Sequence, residues 1–339
     1  MFEYSLERAR QSVAVIIPCY KVRRHILGVI EAVGPEVDAI YCVDDCCPEA
    51  SGDFIEANAR DPRIVVVRNA ENQGVGGAVM AGYQRAILDG MQVLVKVDGD
   101  GQMDPSLVPL FIAPILKGQA DYTKGNRFWD LSNIRRMPLI RRIGNLGLSF
   151  MTKASTGYWD VFDPTNGYTA IHANVAARLP FASISRRYFF ETDMLFRLNI
   201  MRAVVCDVPM DATYGDEESN LKIGQVLGEF SYKHAKNLFK RIGYRYFLRD
   251  LTIASIELVA GIVLLVTGVA YGGWHWFQAL ESQQASAVGT VVLPSIALVS
   301  GLQFLLAFVG YDIASVPRQV LHPLFAPITR VERKTIGQE

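Results

Sequence analysis

The sequence has no excess of charge of either sign, because 34 Lys and Arg residues balance 34 Asp and Glu residues over 339 positions. This balance argues against nucleic acid as a general partner. Cysteine is scarce, and its five positions show no spacing typical of a metal site. We therefore predict reduced, cytosolic thiols. The first twelve residues lack an apolar run, so we expect no secretory signal, and a Walker-type phosphate loop is missing.

Long apolar runs are absent from the first 248 residues and then occur twice. Residues 251–272 carry one charged residue, Glu257, and residues 288–311 carry only a few polar ones. As a helix the first run would span about 33 Å, enough to cross the roughly 30 Å hydrocarbon core of a bilayer. We predict a two-helix transmembrane hairpin; a pair of buried core helices is the alternative.

The flanks of the two runs predict their orientation. The linker 273–287 contains no Lys or Arg, whereas basic residues precede the first run and follow the second. The positive-inside rule therefore places the N-terminal part of the chain and both termini in the cytoplasm and the linker outside, in a multi-pass membrane protein. Trp274 and Trp276, in the linker, are placed where an aromatic belt would lie.

Apolar runs alternate with helical patterns in the N-terminal part of the chain. Strands are predicted at 13–17 (ending before Pro18), 39–45, 63–69 and 93–100, and helices at 23–34, 50–60 and 76–90. This alternation is typical of an α/β protein with a mostly parallel sheet. Ligands bind such sheets beyond the carboxyl ends of the strands.

Polar residues follow all four predicted strands, and they form the clusters Pro18–Tyr20, Asp44–Asp45, Asn69–Asn72 and Asp98–Asp100. We expect these clusters to meet at one edge of the sheet. Asp98 and Asp100, with the amide of Gln102, suit a hard divalent cation, Mg²⁺ or Mn²⁺, that also binds a diphosphate.

Two further segments have distinctive compositions. Residues 72–82 are rich in glycine and lead into a helix, which suits either an approach to phosphate or close helix–sheet packing. Residues 127–153 and 230–250 mix basic and large apolar side chains, a pattern typical of segments at a membrane surface. A solvated loop is the alternative for the first of them.

The ordered motifs of the chain resemble those of a known family. They are "VIIPCYK", "VDD", "NQGVGGA", "VKVDGDGQMDP", "KGNRF", "DPTNGY" and "FFETDML". The series resembles the family-2 glycosyltransferases of the GT-A fold, a Rossmann-like α/β fold. Within that family it looks like the polyprenyl-phosphate sugar transferases, such as dolichyl-phosphate mannose synthase and bacterial undecaprenyl-phosphate glucosyltransferase, over about residues 12–325.

The resemblance implies roles for particular residues. Pro18 and Tyr20 would border the nucleotide, and Asp44 or Asp45 would bond the base or ribose. The other residues implied to contact the nucleotide sugar are Asp98, Gly99, Asp100, Gln102 and Lys222. The implied metal ligands are Asp98, Asp100 and Gln102. The residues implied to bind the acceptor phosphate are Lys124, Arg127, Arg135 and Arg136. The implied catalytic residues are Asp100, Arg127 and Asp193.

The predicted reaction is the metal-dependent, inverting transfer of a sugar from a nucleotide diphosphate sugar to a membrane polyprenyl phosphate, undecaprenyl or dolichyl. A UDP-sugar is favoured as donor and GDP-mannose is possible; the bilayer and a second copy of the chain are further expected partners. One alternative is a hydroxyl acceptor with Asp193 as base, and another is a membrane nucleotide-sugar sensor. The predicted parts are a cytoplasmic GT-A domain (1–222), interfacial helices (223–250), the hairpin (251–311) and a cytoplasmic tail (312–339).

Overall fold

The computed structural model describes residues 11–129, 139–211 and 223–326, which form two compact units. One unit contains the described residues up to Asn237 together with those from Pro317 onward. The other is Leu238–Val316. The chain leaves the first unit at residue 237 and returns to it at residue 317. The domain boundaries expected from the sequence stay a prediction.

The first unit is built on a seven-stranded sheet with the strand order β3-β2-β1-β4-β6-β5-β7. Only β6 runs against its neighbours, so the expected mostly parallel α/β sheet is confirmed. The strands are β1 (Val13–Cys19), β2 (Ala39–Asp44), β3 (Ile64–Arg68), β4 (Val93–Lys96), β5 (Tyr122–Asn126), β6 (Thr169–His172) and β7 (Val205–Pro209).

Helices flank this sheet and continue beyond it in the chain. They are α1 (Ile26–Glu31), α2 (Ser51–Asn58), α3 (Gly74–Leu88), α4 (Val108–Leu116), α5 (Leu139–Thr156), α6 (Ala173–Ala176), α7 (Phe190–Met201) and α8 (Ile223–Gly243). Single 3₁₀ turns lie at Pro105–Leu107 and Phe181–Ser183. The alternation of strand and helix up to β4 follows the predicted pattern, whereas the antiparallel β6 does not.

The position of β1 in the sheet explains why the sequence of this strand is apolar throughout. All seven of its residues are buried, because β2 and β4 flank it and helices cover both faces. The prediction that Pro18 ends this strand is wrong, since Pro18 pairs with Val43 of β2. Pairing with β4 extends only to Ile16, so the missing amide hydrogen of Pro18 breaks no ladder on that side.

The second unit contains the two apolar helices, α9 (Ile253–Ser282) and α10 (Val288–Ala314). Both are long and apolar enough to cross a membrane. They pack as an antiparallel hairpin in which Gly261 and Gly301 allow close approach: a Cβ built on Gly261 would lie 2.9 Å from Leu305 Cδ2. The first helix extends ten residues beyond the predicted span, so that Trp274 and Trp276 are helical rather than part of the linker.

A buried ion pair joins the start of the second unit to its last helix. The Arg241 guanidinium donates to both carboxylate oxygens of Asp312, at 2.6 and 2.9 Å, and the Tyr246 hydroxyl donates to the same carboxylate at 2.6 Å. Tyr246 belongs to a π-helical turn, Tyr244–Arg249, that follows α8. The double hydrogen bond satisfies charges that would be costly to bury singly.

After the hairpin, residues 317–326, here called the return segment, pack against the first unit. The Asp121 carboxylate, directly before β5, accepts hydrogen bonds from the backbone amides of Leu321 and His322 at 2.8–3.0 Å and lies 3.0 Å from His322 Nδ1. It also accepts from the Val204 amide at 2.9 Å. The His322 ring stacks on His172 with 4.3 Å between centroids. These contacts lie at the amino end of β5, opposite the carboxyl ends of the parallel strands.

Replacing Asp121 by Ala should destabilise the protein by about 3 kcal/mol or more, because several buried donors lose their acceptor. Hydrogen bonds from His322 and the backbone outweigh burial and hold the pKa of Asp121 below its usual value. The stabilisation should therefore be present above about pH 4 and be lost as the pH falls further through the folded-state pKa. Thermal unfolding from pH 7 to 3 measures both effects. Asp53→Ala, which removes an exposed partner of Arg68, is the control and should change stability little.

Candidate functional site

The polar clusters after the strands come together at one edge of the sheet, as expected. The Asn69 side chain donates to Asp45 Oδ1 at 2.8 Å, which joins the ends of β2 and β3. The Lys21 amide lies 3.1 Å from Cys47 Sγ, which joins the segments after β1 and β2. A Cβ built on Gly99 would lie 3.3 Å from the Pro18 carbonyl oxygen, so the segment after β4 passes directly over the end of β1.

The two acids at the end of β2 point into the protein rather than outward. Asp45 accepts from the amides of Gln73 and Gly74 at 2.9 and 2.8 Å, and it thereby caps the start of α3. Asp44 accepts from the amides of Cys47 and Gly52 at 2.8 and 2.6 Å. The observed contacts give both carboxylates a structural task, and the predicted contact with base or ribose stays a prediction.

The glycine-rich segment before α3 serves packing rather than phosphate binding. Beyond the two amides that Asp45 occupies, those of Gly76 and Gly77 donate to the Arg186 carbonyl at 2.8 and 3.2 Å. A Cβ on Gly82 would lie 2.5 Å from Ile16 Cγ2, so glycine lets α3 approach β1 closely. Because these helix-terminal donors have acceptors, the packing interpretation is the better of the two.

The Asp98–Asp100 pair follows β4 and has a buried lysine beneath it. Lys96, 1% exposed, places its ammonium 2.8 Å from Asp98 Oδ1 and 3.6 Å from Glu191 Oε1. It also donates to the Gly167 carbonyl at 3.1 Å. Burial would lower the pKa of Lys96, but the two carboxylates outweigh burial and raise it. Lys96 is therefore an ammonium ion at physiological pH.

The acids of this segment fit a divalent cation that is shared with a substrate. The Asp98 side chain is 27% exposed despite its ion pair, and Asp100 is also partly exposed. The backbone amide of Gln102 donates to Asp100 Oδ1 at 2.9 Å, which holds the Asp100 side chain against its own loop. Among the described residues no group of three or more His, Cys, Asp or Glu side chains could hold a metal. Two carboxylates and an amide oxygen suit an ion that takes its other ligands from phosphate and water.

Lys124, predicted to contact an acceptor phosphate, lies inside the protein. It is 0% exposed and donates to the Asn166 carbonyl. Lys96 and Lys124 both align with Thr169 of β6. Their ammonium groups donate to successive carbonyls, that of Lys96 to Gly167 and that of Lys124 to Asn166. Burial lowers the pKa of Lys124 to about 8, with Glu191 and Asp163 acting in the opposite direction. These surroundings indicate a role in holding the 163–167 segment and do not support direct contact with a phosphate.

Arg127 lies at the carboxyl end of β5 and is held by a buried carboxylate. Its Nε and Nη2 donate to the two oxygens of Asp163 at 2.7 and 3.1 Å. Asp163 is fully buried, whereas the Arg127 side chain is 35% exposed. A guanidinium that is held by a carboxylate on one side and partly exposed on the other can come into contact with a second anion.

Asp193 and Glu191 lie in the first turn of α7 but have different surroundings. Asp193 is buried and accepts from the Ser185 amide at 2.9 Å and from the Asn237 side chain at 3.2 Å. Glu191 is paired with Lys96 and is therefore the acid of this helix that belongs to the Asp98 cluster. Asp193 instead joins α7 to α8 through the Asn237 side chain.

The remaining predicted residues divide into those that the structure describes and those that it does not. Pro18 is buried and Tyr20 is 44% exposed at the end of β1, next to the Asp98–Asp100 segment. Lys222, Arg135 and Arg136 lie outside the described residues.

Three residues of this edge were not among the predicted site residues. They are Lys96, Asp163 and Asp207. Asp207 accepts from the Asn126 side chain and from the Phe162 amide, both at 3.0 Å, and burial raises its pKa to about 6. A charged residue within an apolar strand, such as Lys96 in "VLVKV", is the signal that could have identified the first of them.

Comparison with known proteins gives a consistent result. Residues 14–179 match the family described as "Glycosyl transferase family 2". A UDP-N-acetylglucosamine–dolichyl-phosphate N-acetylglucosaminyltransferase of Methanococcus voltae is 25% identical over 72% of this chain and 97% of its own length. An undecaprenyl-phosphate mannosyltransferase of Micrococcus luteus is 28% identical over 64% of this chain and 90% of its own.

Among solved structures, a mannosyl-3-phosphoglycerate synthase from Rubrobacter xylanophilus matches the fold. It superimposes with a TM-score of 0.52 at 15% identity, over 71% of this chain and 77% of that protein. At this identity the likeness concerns the architecture alone, the mixed, mostly parallel GT-A sheet.

Proposed function

Since the chain carries a family 2 glycosyltransferase domain over residues 14–179, we propose that it transfers a sugar from a nucleotide diphosphate sugar to a membrane polyprenyl phosphate. The observation that carries the proposal is the pairing of two sites at one sheet edge. Asp98 and Asp100 provide anionic oxygens for a metal–diphosphate complex, and Arg127, held by Asp163, provides a partly exposed cation. The relatives named for dolichyl and undecaprenyl phosphate support the choice of acceptor.

The donor half of the site is formed by the ends of β1 and β4. Tyr20 and the Asp98–Asp100 segment border the same exposed edge, where the nucleotide and its diphosphate would bind. Asp98, Asp100 and Gln102 would hold Mg²⁺ or Mn²⁺. When bound, such a cation supplies positive charge next to the departing nucleoside diphosphate. A UDP-sugar is the favoured donor, in keeping with the donor named for the Methanococcus voltae relative, and GDP-mannose is the other candidate.

Arg127 and the acceptor determine the form of the displacement. The guanidinium binds the acceptor phosphate so that one of its oxygens faces the anomeric carbon of the sugar. That oxygen forms the new bond to the carbon while the bond to the diphosphate oxygen breaks, and a single displacement inverts the configuration. A phosphate monoester, whose second pKa is about 6, is already ionised near pH 7 and needs no base.

The exposed faces of two helices, α5 and α8, favour a membrane-bound acceptor. Helix α5 buries Thr152, Ser155 and Thr156 and exposes Leu146 and Phe150, the reverse of the usual arrangement for a surface helix. The described part of α8 likewise buries His234 and Asn237 while it exposes Tyr232 and Phe239. Apolar faces of this kind suit the headgroup region of a bilayer. With α9 and α10, they support a membrane location. The basic flanks of the two apolar runs support a cytoplasmic catalytic domain and cytoplasmic termini.

A hydroxyl acceptor would require a general base, and the surroundings of Asp193 do not favour that role. Both of its carboxylate oxygens accept hydrogen bonds from within the protein, and the side chain is buried. A base must reach the proton that it removes. Asp193 therefore fits a structural role, and the same reasoning favours a phosphate acceptor over a sugar hydroxyl.

Asp193→Asn should reduce transfer to polyprenyl phosphate much less than the roughly 10²–10⁴-fold that positioned proton transfer contributes. The wild-type rate should rise with pH only through ionisation of the acceptor, near pH 6, and then stay level. We would assay both proteins between pH 5.5 and 8.5, with UDP-sugars and GDP-mannose as donors, and with undecaprenyl phosphate, dolichyl phosphate and simple sugars as acceptors. Thermal unfolding serves as the folding control. Transfer to simple sugars that disappears in Asp193→Asn would contradict the proposal.

A further inference from the structure

A positively charged side chain of the protein, that of Lys96, lies next to the proposed metal ligands. The Lys96 ammonium is located between the carboxylates of Asp98 and Glu191, at 2.8 and 3.6 Å, and the Gly167 carbonyl lies 3.1 Å from it. These residues come from β4, from α7 and from the segment before β6. The ammonium thus connects three parts of the chain directly beneath the Asp98–Asp100 segment.

The residues around the ammonium bury it and supply acceptors for its charge. The side chain is 1% exposed, so the charge is taken out of water and is retained only because acceptors surround it. A Cβ on Gly167 would lie 2.5 Å from Lys96 Nζ and 3.0 Å from Asp98 Oδ2, so a side chain at that position would displace the ammonium from its acceptors. Such a fixed cation keeps the Asp98 carboxylate in place and reduces the negative charge of the cluster.

We infer that Lys96 is a positioning residue that acts as a resident counter-cation for Asp98 and Glu191 and so keeps the divalent ion from binding tightly before the nucleotide arrives. Without the ammonium, the carboxylates of Asp98 and Glu191 would both be left to attract a divalent cation by themselves, with Asp100 two residues further along the same loop. With Lys96 present, the ion needs the additional negative charge of a diphosphate. The inference rests on the metal site of the proposed function and assigns a task to a residue that touches neither substrate.

Lys96→Met tests the inference, because methionine fills a similar space without the charge. Mn²⁺ binding to the nucleotide-free protein, followed by the electron paramagnetic resonance of free Mn²⁺, should become about tenfold tighter or more, since one positive charge is removed within a few ångströms of the carboxylates. UDP or GDP should then strengthen Mn²⁺ binding less in the variant than in the wild type. Unchanged or weaker binding of Mn²⁺ alone would overturn the inference.

Lys124→Met is the matched control. It also removes a buried ammonium, one that is bound to the neighbouring carbonyl of Asn166, but no described hydrogen bond or ion pair joins Lys124 to Asp98. Lys124 interacts with the Glu191 carboxylate only beyond ion-pair distance, so nucleotide-free Mn²⁺ affinity should rise much less in this variant than in Lys96→Met. An equal increase in both variants would show that loosening of the sheet edge, and not the specific charge of Lys96, is responsible, and would also overturn the inference.

Glu191→Gln and the double variant Lys96→Met/Glu191→Gln keep the test decisive if Lys96→Met folds poorly. The single change should weaken Mn²⁺ binding to the nucleotide-free protein, and the double change should restore it to near the wild-type value, because the net charge of the cluster is then that of the wild type. Failure of this compensation counts against the inference. If the wild type does not bind Mn²⁺ even with UDP or GDP, the metal site of the proposed function itself is wrong, which is a different result.

Discussion

Asp100→Asn should lower kcat/KM for sugar transfer by about 10²-fold or more while the fold stays intact, because a charged group is lost where the leaving group gains negative charge. The carboxylate is partly exposed and is not part of the hydrophobic core, so thermal stability without ligands should change little. Stabilisation by nucleotide sugar together with Mn²⁺ should largely disappear, since a ligand stabilises a protein only in proportion to its binding.

The control for this variant is a neighbouring acid in the same loop. Asp104 is exposed, and its side chain accepts from the Ser106 amide at 2.9 Å at the start of a 3₁₀ turn. Asparagine caps such turns as well as aspartate does, so Asp104→Asn should have near-normal activity. Near-normal turnover of Asp100→Asn with an unchanged metal requirement would refute the assignment of the site.

Arg127→Ala should raise the KM for polyprenyl phosphate by about 10- to 100-fold, the equivalent of the roughly 1.5–3 kcal/mol of a hydrogen bond to a charged group. The affinity for the nucleotide sugar should remain unchanged, because Arg127 is proposed to contact the acceptor alone. Kinetics with the acceptor varied, together with equilibrium binding of the donor, separates the two quantities. If donor affinity falls and the acceptor KM does not, Arg127 belongs to the donor half of the site.

Removal of Arg127 also leaves a buried carboxylate without its partner, which costs stability independently of function. Arg127→Ala/Asp163→Asn removes both charges and should recover much of the lost stability without recovering the acceptor KM. Asp163→Asn alone keeps the guanidinium but loosens its orientation, so its acceptor KM should lie between those of wild type and Arg127→Ala. Arg85→Ala, which breaks an exposed pair with Asp89, controls for the loss of an arginine as such.

Much of the fold could be predicted because it depends on local patterns. Apolar runs such as 13–17 and 39–45 require burial on both faces, and the polar residues after them mark the edge where ligands bind. The ordered motifs also identified the family correctly. The sequence no longer predicts the fold where the alternation of strand and helix ends. The antiparallel strand β6 inserts between β4 and β5, and no periodicity announces this insertion.

The contacts missed in the site follow from that insertion. Lys96 and Glu191 lie on β4 and α7, and Arg127 and Asp163 lie on either side of α5 in the chain. Such pairs become visible only once the strand order is known, because their separation in sequence says nothing about their distance. The resemblance implied ligand contacts for Asp44, Asp45 and Lys124, and it could not show that their carboxylates and ammonium have partners within the protein.

The return segment sets the order in which this protein can be completed during synthesis. Asp121 obtains its hydrogen-bond donors from Leu321 and His322, which the ribosome adds about two hundred residues later, after both apolar helices. Domains generally fold from the N-terminus as they emerge. Until α10 and the return segment have been synthesised, the Asp121 carboxylate beside β5 therefore lacks some of its hydrogen-bond donors. Maturation of the first unit is therefore coupled to the production of the helical hairpin.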